Sequence, residues 1–495
     1  MFWKKNKRKN SAFLESSPKT TGQQEISMDL LKQVLANLDD AEIIERQNAK
    51  DQNVTFVYIR TLIDEERMNE SIIEPVILCT HDTILDCMST TKVSEIFTLA
   101  EAQKQLLKGS IIIYDVIGNQ WLTAPLRNNI GRSIETSDTE TILYGAKDSF
   151  SEQIEVNMTL IRRRLPLAEL KAEKFKVGSL SDTTVVLMYM EGVINPEFVS
   201  VAREKISKID FDLFFDSSQI AAFLEDHHNS IFPQFQQTDR PDVCAYSLGL
   251  GKLIILVDNT PFVLVGPITF FHLFQSPEDY INRWPVASFL RTIRYISFFL
   301  SIVLIPLYVA LTTHHYHMIP LQILFVLVES RSKLPFTPFW EALLMLIILE
   351  IIKEASLRMP SKSSQTLGVI AGIVIGQASV EAGFASKVLI VLVGISTIAS
   401  FLVPNYLVTK ANTLIQFVFL VLSSFLGIVG IVLGMIAILA HLNGLTSLRQ
   451  PYLAPVAPFY WKDWIDLFIR GPLTKMKTRP EHLHPLQKWR YGKRR

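Results

Sequence analysis

The chain has 495 residues, 48% hydrophobic and 20% charged, and its 49 Lys and Arg residues nearly balance its 48 Asp and Glu residues. This balance argues against a general binder of nucleic acid or another polyanion. The apolar residues are unevenly distributed, because residues 363–448 carry only three charged side chains, Glu381, Lys387 and Lys410. The composition therefore excludes a fully soluble protein and predicts a polar first half followed by an apolar second half.

The amino terminus and the cysteines indicate the cellular compartment. Residues 4–9 hold five Lys and Arg side chains, but no apolar run follows them, so we expect no secretory signal. The three cysteines, Cys79, Cys87 and Cys244, are an odd number and too few for a disulfide framework or a four-ligand metal site. We expect a disordered basic segment over 1–27 and a first half in the reducing cytoplasm.

The polar half has the pattern of a duplicated α/β region. Short β-branched runs alternate with charged amphipathic stretches from residue 28 to 287. Residues 109–125 and 251–267 both run from a glycine through a strand-like segment to a proline with the same spacing. This repeat predicts two α/β subdomains, 28–160 and 161–287, although unrelated strand–turn–strand units can share such a pattern.

No pattern in the polar half supports catalysis or metal binding. Gly251 and Lys252 are followed by Leu253, so the hydroxyl residue of a phosphate-binding loop is missing. The third glycine of a dinucleotide fingerprint would fall at Ile254. The histidine pairs lack metal-ligand spacing. We therefore expect a protein that is not an enzyme, with no catalytic residue, cofactor or metal site.

The apolar half predicts an all-α, multi-span membrane domain over 288–448. Four segments approach the roughly 20 apolar residues that cross a bilayer; they are 288–311, 366–382, 386–403 and 414–442. Between the first two, 319–328 is short and 338–356 is charged, so we treat 319–356 as interfacial or re-entrant. If both stretches cross, six spans result instead of four. The basic tail, 449–495, indicates that both termini are cytoplasmic.

Regularly spaced glycines mark the close-packing faces of two predicted spans. Gly368, Gly372 and Gly376 recur at every fourth position, and Gly430 and Gly434 repeat that spacing in the last span. Small residues at this interval allow two membrane helices to approach closely. We expect these five glycines to serve helix packing.

A second face of segment 366–383 combines apolar and polar side chains. Its members at helical spacing are Ile370, Val374, Gln377 and Glu381. Polar groups on a membrane helix are costly unless they meet water or a partner. One interpretation is a pore-lining helix, with Val374 as a dewetting constriction and Glu381 in an acidic ring that favours cations. The alternative is a packed bundle helix in which Glu381 lies at the membrane edge and pairs with Lys387 or Arg358.

Charged residues interrupt the apolar stretch 338–356. Glu350 and Glu354 lie one helical turn apart and would repel each other unless one of them is paired or neutral. Arg331 or Lys333 from the preceding loop could supply that partner. One hypothesis is a gating or subunit-contact element that includes Glu341 as well, and the other is an interfacial helix with its charges in water.

Several motifs together resemble one family, the A subunits of GerA-type germinant receptors of endospore-forming bacteria. The most specific are Phe-Gln-Ser-Pro-Glu-Asp-Tyr at 274–280 and Gly-Gln-Ala-Ser-Val-Glu-Ala-Gly at 376–383. Further matches lie at 160–164, 191–197, 240–242, 251–273, 310–313 and 340–344. The resemblance covers about residues 53–455.

The resemblance implies a subunit of a nutrient receptor in the inner membrane of the spore, with both termini on the core side. Such A subunits act with a transporter-like B subunit, which holds the nutrient, and a lipoprotein C subunit. They are expected to form homo-oligomers, here a pentamer, that open a channel for monovalent cations within the membrane lipid. The pore helix would be 366–383, and no nucleic acid partner is implied. A carrier subunit that works by alternating access and a scaffold without a pore are the two alternatives.

Overall fold

The computed structural model describes residues 24–81, 84–89, 92–116, 118–128, 140, 142, 144–332, 334–358 and 376–490. Along the chain, two sheets with their helices come first, a group of apolar helices follows, and a folded carboxyl-terminal segment returns to the second sheet. These three parts correspond to the changes in composition along the sequence.

The first sheet has five strands in the order β1-β2-β4-β5-β3. Its strands are β1 (Ala41–Gln47), β2 (Asn53–Ile59), β3 (Ser94–Glu95), β4 (Ser110–Asp115) and β5 (Gln120–Pro125). Strands β2 and β4 are central and pair with each other, which explains why their β-branched residues are buried on both faces. The peripheral strand β1 is more exposed.

The second sheet repeats this topology, with the order β6-β7-β9-β10-β8. Its strands are β6 (Leu170–Val177), β7 (Thr183–Met190), β8 (Gln236–Thr238), β9 (Leu253–Val257) and β10 (Val263–Gly266). In both sheets the order in the chain is first, second, fourth, fifth, third. The duplication predicted from the spacing within 109–125 and 251–267 is therefore confirmed.

The strand arrangement corrects the predicted α/β class. Every pair of named strands in the two sheets is antiparallel. The links between β1 and β2, β4 and β5, β6 and β7, and β9 and β10 are only a few residues long, whereas a parallel pair needs a crossover of a dozen or more. The soluble region is consequently of the α+β type, with helices beside antiparallel sheets.

Nine helices accompany the two sheets in the described part of the chain. They are α1 (Met28–Val34), α2 (Glu65–Met68), α3 (Glu74–Ile77), α4 (Leu99–Leu106), α5 (Ile154–Arg164), α6 (Pro196–Ser207), α7 (Ser217–Leu224), α8 (Pro241–Leu250) and α9 (Glu278–Ile281). Helix α5 runs through residue 160, where the sequence placed a domain limit. It links the two halves, because buried Arg162 donates to both carboxylate oxygens of Asp40 at 2.6 Å.

The cysteines show a pairing that their number and spacing did not predict. Cys79 and Cys87 form a disulfide, with their Cα atoms 5.6 Å apart, while Cys244 is buried and free. The fold brings the first two together in the loop region after α3. Sequence alone could not establish this contact, since it depends on where the loop returns.

The apolar half is helical throughout its described residues except for the links between helices. Its helices are α10 (Trp284–Thr313), α11 (Leu321–Arg331), α12 (Pro338–Leu357), α13 (Gly376–Glu381), α14 (Lys387–Phe401), α15 (Tyr406–Leu426) and α16 (Ile428–Gly444). Two of these, α10 and α15, are long and apolar enough to cross a membrane, and α14 and α16 are shorter apolar helices.

One predicted span differs from the helices observed, whereas the stretches 319–328 and 338–356 correspond to helices. The span expected over 414–442 is divided at Gly427, whose backbone has φ 62° and ψ −138°, so that α15 ends there and α16 begins. The stretch 319–356 consists of the two helices α11 and α12, and α12 contacts α10, α14 and α15. Residues 366–375 of the predicted segment 366–382 lie outside the described residues.

The basic carboxyl-terminal segment is folded onto the second sheet and its neighbouring loops. It starts with a small hairpin of β11 (Thr446–Ser447) and β12 (Gln450–Pro451). Ser447 donates to the carbonyl of Gln234 at 2.6 Å, and Arg479 donates to the carbonyl of Gly249 at 2.8 Å. Leu448, Tyr452 and Leu483 are fully buried, so apolar burial holds this segment in place despite its net positive charge.

Candidate functional site in the helical region

Polar contacts establish the directions of the main helices. The hydroxyls of Tyr308 on α10 and Ser386 before α14 lie 3.2 Å apart, and farther along Ser396 donates to the carbonyl of Ser301 at 2.9 Å. Helix α14 is therefore antiparallel to α10. Helix α15 runs parallel to α10, because Asn412 donates to the Ser301 hydroxyl at 2.5 Å and an imidazole nitrogen of His314 lies 2.7 Å from a carbonyl near the end of α15.

These polar side chains form a network buried among apolar helices. Gln416 of α15 donates to the hydroxyl of Ser396 at 2.9 Å, and Asn412 and Ser396 both contact Ser301. All four residues are buried. Hydrogen bonds between helices in apolar surroundings satisfy groups that would otherwise be costly, so this network stabilises the packing of α10, α14 and α15. No sequence pattern predicted this network, because each member is an isolated polar residue in an apolar run.

Glu341 occupies a buried position at the amino end of α14. The residue is 1% exposed, and its carboxylate accepts a hydrogen bond from the backbone N–H of Ser386, the N-cap of α14, at 2.5 Å. Arg331 at the end of α11 lies 3.8 Å from the other carboxylate oxygen. A carboxylate at a helix amino terminus is electrostatically favourable. Three elements, α11, α12 and α14, are thus joined by this one carboxylate.

Glu350 and Glu354 share a lysine partner from α15, whereas the sequence analysis expected a partner from the loop before α12. Lys410 of α15 lies 3.6 Å from Glu350 and 3.3 Å from Glu354. Lys353 pairs with Glu350 at 3.6 Å, and Arg358 pairs with Glu354 at 2.9 Å. The predicted pairing of these acids with Arg331 is wrong, since Arg331 faces Glu341 instead, and Lys333 lies outside the described residues. A contact across some sixty residues of sequence leaves no local signal.

At the carboxyl end of the predicted pore segment, the polar side chains are exposed. Ile370, Val374, Gly368 and Gly372 lie outside the described residues. Gln377 and Glu381 are exposed on α13, and the Gln377 amide donates to the Glu381 carboxylate at 3.0 Å. A Cβ atom added at Gly376 would meet nothing within 4 Å. Among the described residues, no helix packs over Gln377 and Glu381.

The two glycines of the last helix lie against α15. A Cβ atom added at Gly430 would come within 2.3 Å of the carbonyl oxygen of Leu422, and one added at Gly434 within 3.0 Å of the Phe419 ring. Residues at these two positions must be very small for α16 to fold back on α15 at this distance.

A buried ion network connects the soluble region to the first apolar helix. Asp279, 1% exposed, accepts from Arg291 at 3.0 Å and from Arg294 at 2.8 Å. Arg291 also donates to the Asp466 carboxylate of the carboxyl-terminal segment at 2.9 Å. Asp279 belongs to the motif at 274–280, but the sequence did not indicate that the motif ends in an ion network. Three separate parts of the chain meet at this point.

No group of three or more His, Cys, Asp or Glu residues in the described parts of the chain is arranged to hold a metal ion. The polar groups found in the helical region are paired carboxylates, guanidinium and ammonium groups, and amides. Such an arrangement joins helices and carries charge.

A duplicated α+β region held on a group of apolar helices by buried ion pairs defines a two-part protein, soluble at one end and apolar at the other. The family model described as "Bacillus/Clostridium GerA spore germination protein" matches residues 29–482. The chain therefore belongs to the GerA family of spore germination proteins. This membership confirms the resemblance found in its motifs, and the family description names germination rather than an enzymatic reaction.

Individual relatives agree with this family over almost the whole chain. Spore germination protein GerQA of Bacillus cereus is 36% identical over 472 residues, which cover 94% of this chain and 94% of that protein. A membrane protein of Bacillus subtilis (strain 168), YfkQ, is 34% identical over 432 residues, which cover 86% of this chain and 84% of that protein. The solved amino-terminal domain of the A subunit of the Bacillus megaterium spore germinant receptor GerK3 is 24% identical, with a TM-score of 0.37, over 49% of this chain and 93% of that domain.

Proposed function

We propose that this chain is the A subunit of a nutrient germinant receptor and assembles with copies of itself around a cation pore in the inner spore membrane. The assembly is a pentamer, its termini lie on the core side, and a transporter-like B subunit and a lipoprotein C subunit complete the receptor. Membership of the GerA family and the apolar helices α10 and α15 support this proposal. The protein has no catalytic role in it.

The observation that carries the proposal is the uncovered polar end of segment 366–383. Gln377 and Glu381 are exposed beside apolar helices and contact each other rather than a neighbouring helix. A carboxylate in such surroundings is costly unless it faces water or another subunit. A shared aqueous axis between copies of α13 satisfies this requirement, with Glu381 in an acidic ring and Ile370 and Val374 lining the apolar constriction.

The charged contacts around α12 have a place in the same proposal. Glu341 with Arg331, and Glu350 and Glu354 with Lys410, connect α12 to α11, α14 and α15. A nutrient held by the B subunit favours the open arrangement of these helices, so that the signal reaches the pore as a shift between two populated states.

Ion flux through liposomes that contain the full-length chain tests the proposal. Glu381→Lys should reduce potassium flux by about tenfold or more, since about 1.4 kcal/mol of added barrier is a factor of ten in rate. Val374→Phe should also reduce flux by narrowing the constriction. Glu329→Lys is the matched control, because Glu329 is an exposed carboxylate on α11 outside the proposed pore.

The same preparation separates the alternatives. Saturable solute uptake without ion conductance would identify a carrier, and neither flux nor uptake would leave a scaffold that recruits other germination proteins. Native mass spectrometry in detergent gives the number of copies, and a monomer would contradict a pore formed between copies of α13. An equal loss of flux in the Glu329 control would contradict the role given to Glu381.

A further inference from the structure

Lys252 is a buried lysine with an unusual lack of partners. It precedes β9, directly after Gly251, whose positive φ of 96° ends α8. The residue is 2% exposed, yet among the described residues no carboxylate lies at ion-pair distance from its ammonium group and no acceptor at hydrogen-bond distance. Burying an unpaired ammonium group is costly, so a buried lysine without a partner is a candidate for a functional site.

A second buried lysine of the same region shows the usual solution. Lys171 donates to the carbonyls of Val34 and Ala36 at 3.1 and 2.7 Å, and it lies 3.6 Å from Glu191. The fold therefore provides acceptors for one buried ammonium group and leaves the other without them. This difference makes Lys171 a matched control for experiments on Lys252.

The carboxylates nearest to Lys252 already have partners. Asp466, whose negative charge acts on Lys252, is paired with Arg291 at 2.9 Å and accepts from the Tyr280 hydroxyl at 2.9 Å. Asp242 is paired with buried Arg240 at 2.8 Å. Among the described residues, the positive charge of Lys252 is thus left without a paired carboxylate.

Lys252 lines a cavity of about 190 Å³ between α8 and the segment 272–281. The cavity has room for about six water molecules, which is less than a site for a drug-sized ligand. Its walls include the rings of Tyr246, His272 and Tyr280 and the apolar side chain of Leu250. The buried Tyr246 hydroxyl also has no hydrogen-bond partner among the described residues.

We propose that this cavity binds a small organic carboxylate, whose negative group pairs with the ammonium of Lys252 and accepts a hydrogen bond from Tyr246. The cavity wall also carries polar side chains and the carboxylate of Asp242, which is paired with Arg240. One unpaired positive charge beside aromatic rings suits a singly charged anion with an apolar remainder. A doubly charged phosphate would need a second cation, but Arg240 and Arg291 are already paired, and the Asp242 carboxylate on the wall would repel it. A third arginine, Arg490, packs against the Tyr246 ring at 5.9 Å and does not line the cavity. The site is independent of the proposed pore.

The position of the cavity links an occupant to the helical region. Tyr280 lines the cavity and donates to Asp466, which is paired with Arg291 of α10. A ligand that contacts Tyr280 therefore lies one side chain away from the ion network at the base of α10. The contacts form an unbroken chain from the second sheet to that helix.

Thermal unfolding of the full-length chain in detergent, with sodium butyrate replacing sodium chloride at constant ionic strength, tests the site. We expect butyrate to raise the unfolding temperature of the wild type and to bind Lys252→Met at least about tenfold more weakly, as expected for loss of a charge-assisted hydrogen bond. Without butyrate, Lys252→Met should unfold at the same temperature as the wild type or higher. Lys171→Met should unfold at a lower temperature and keep the full butyrate effect.

Equal butyrate effects in the wild type and in Lys252→Met, or no effect on the wild type, would overturn the proposal. A larger effect from inorganic phosphate than from butyrate would overturn the assignment to a carboxylate. If Lys252→Met does not fold, Tyr246→Phe decides, because it should weaken butyrate binding several-fold and an unchanged affinity contradicts the site. A carboxylate on a lipid headgroup is the other source of this chemistry. It would be identified if phosphatidylserine nanodiscs raised the unfolding temperature and free butyrate did not.

Discussion

At the residue scale, the chain contains two kinds of buried charge. Arg162 is fully buried, and its guanidinium binds both oxygens of Asp40 at 2.6 Å and a backbone carbonyl. Such a complete set of partners compensates for much of the cost of removing the ions from water. Lys252 has no such set. The first kind of charge fixes how two sheets are joined, and the second kind leaves a charge available for binding.

The stability of the protein should depend on pH through Lys252. Burial lowers the pKa of this lysine from 10.5 to about 7. Between pH 10.5 and about pH 7, Lys252 is protonated in the unfolded chain but largely neutral in the folded protein. The free energy of unfolding therefore rises with pH across this range. The charged and titratable groups around the lysine are Asp242, Asp466, His272, Tyr246 and Tyr280.

Lys252→Met should remove this dependence. The variant should be more stable than the wild type by about 1–4 kcal/mol below pH 7, where the wild type still carries its unpaired charge, and the advantage should shrink towards pH 10. Chemical unfolding of both proteins at several pH values measures the difference. A constant difference across the window would contradict the lowered pKa of Lys252.

At the element scale, the end of α15 depends on one glycine. Gly427 adopts φ 62° and ψ −138°, a conformation that residues with a Cβ atom rarely adopt. A Cβ atom here would also lie 2.5 Å from the His315 ring, which packs against the turn from the end of α10. The turn allows α16 to fold back along α15, where Gly430 and Gly434 permit close contact.

Gly427→Ala should therefore destabilise the helical region by about 1–3 kcal/mol, the usual cost of a strained backbone, with the contact to His315 adding to it. The matched control is Gly394→Ala in the middle of α14, where a Cβ atom meets nothing within 4 Å. That change should be neutral or stabilising by up to about 1 kcal/mol, because alanine favours a helix over glycine. Thermal unfolding in detergent compares the two, and equal effects would contradict the turn geometry.

At the scale of the whole molecule, the soluble and helical regions meet through few but strong contacts. Asp279 precedes α10, Arg291 and Arg294 lie on that helix, and Asp466 comes from the carboxyl-terminal segment. A buried aromatic cluster lies beside the network, since Arg294 donates to the carbonyl of Phe274. Its members are Phe270, Phe271, Phe274, Tyr295 and Phe298. A change in the tilt of α10 should therefore displace residues of the second sheet region and of the carboxyl-terminal segment.

Asp279→Asn should cost about 3–5 kcal/mol of stability, because it leaves two buried guanidinium groups without their shared carboxylate. The comparison is Arg358→Gln, which removes an exposed ion pair with Glu354 and should change stability by less than about 1 kcal/mol. Thermal unfolding measures both. A loss for Asp279→Asn no larger than that for Arg358→Gln would show that the network does not hold the regions together.

Some features could be predicted from the sequence because they are local or repeated. The helix at 284–313 follows from the long apolar segment at 288–311, and the duplicated sheets follow from equal spacing in 109–125 and 251–267. The family followed from short motifs at 274–280 and 376–383. Partners of buried charges could not be predicted, as Glu350 and Glu354 illustrate, since Lys410 approaches them only after α12 and α15 have packed.

The amino-acid sequence by itself determined the two-part composition, the duplication and the family of this protein, because periodicity, spacing and motifs are properties of neighbouring residues. Only the tertiary structure decided that the sheets are antiparallel, that α15 and α16 are separate helices, and that Lys252 is left unpaired in a cavity. These features depend on which distant segments come within a few ångströms of one another. That proximity results from the balance of burial and hydrogen bonding over the whole chain.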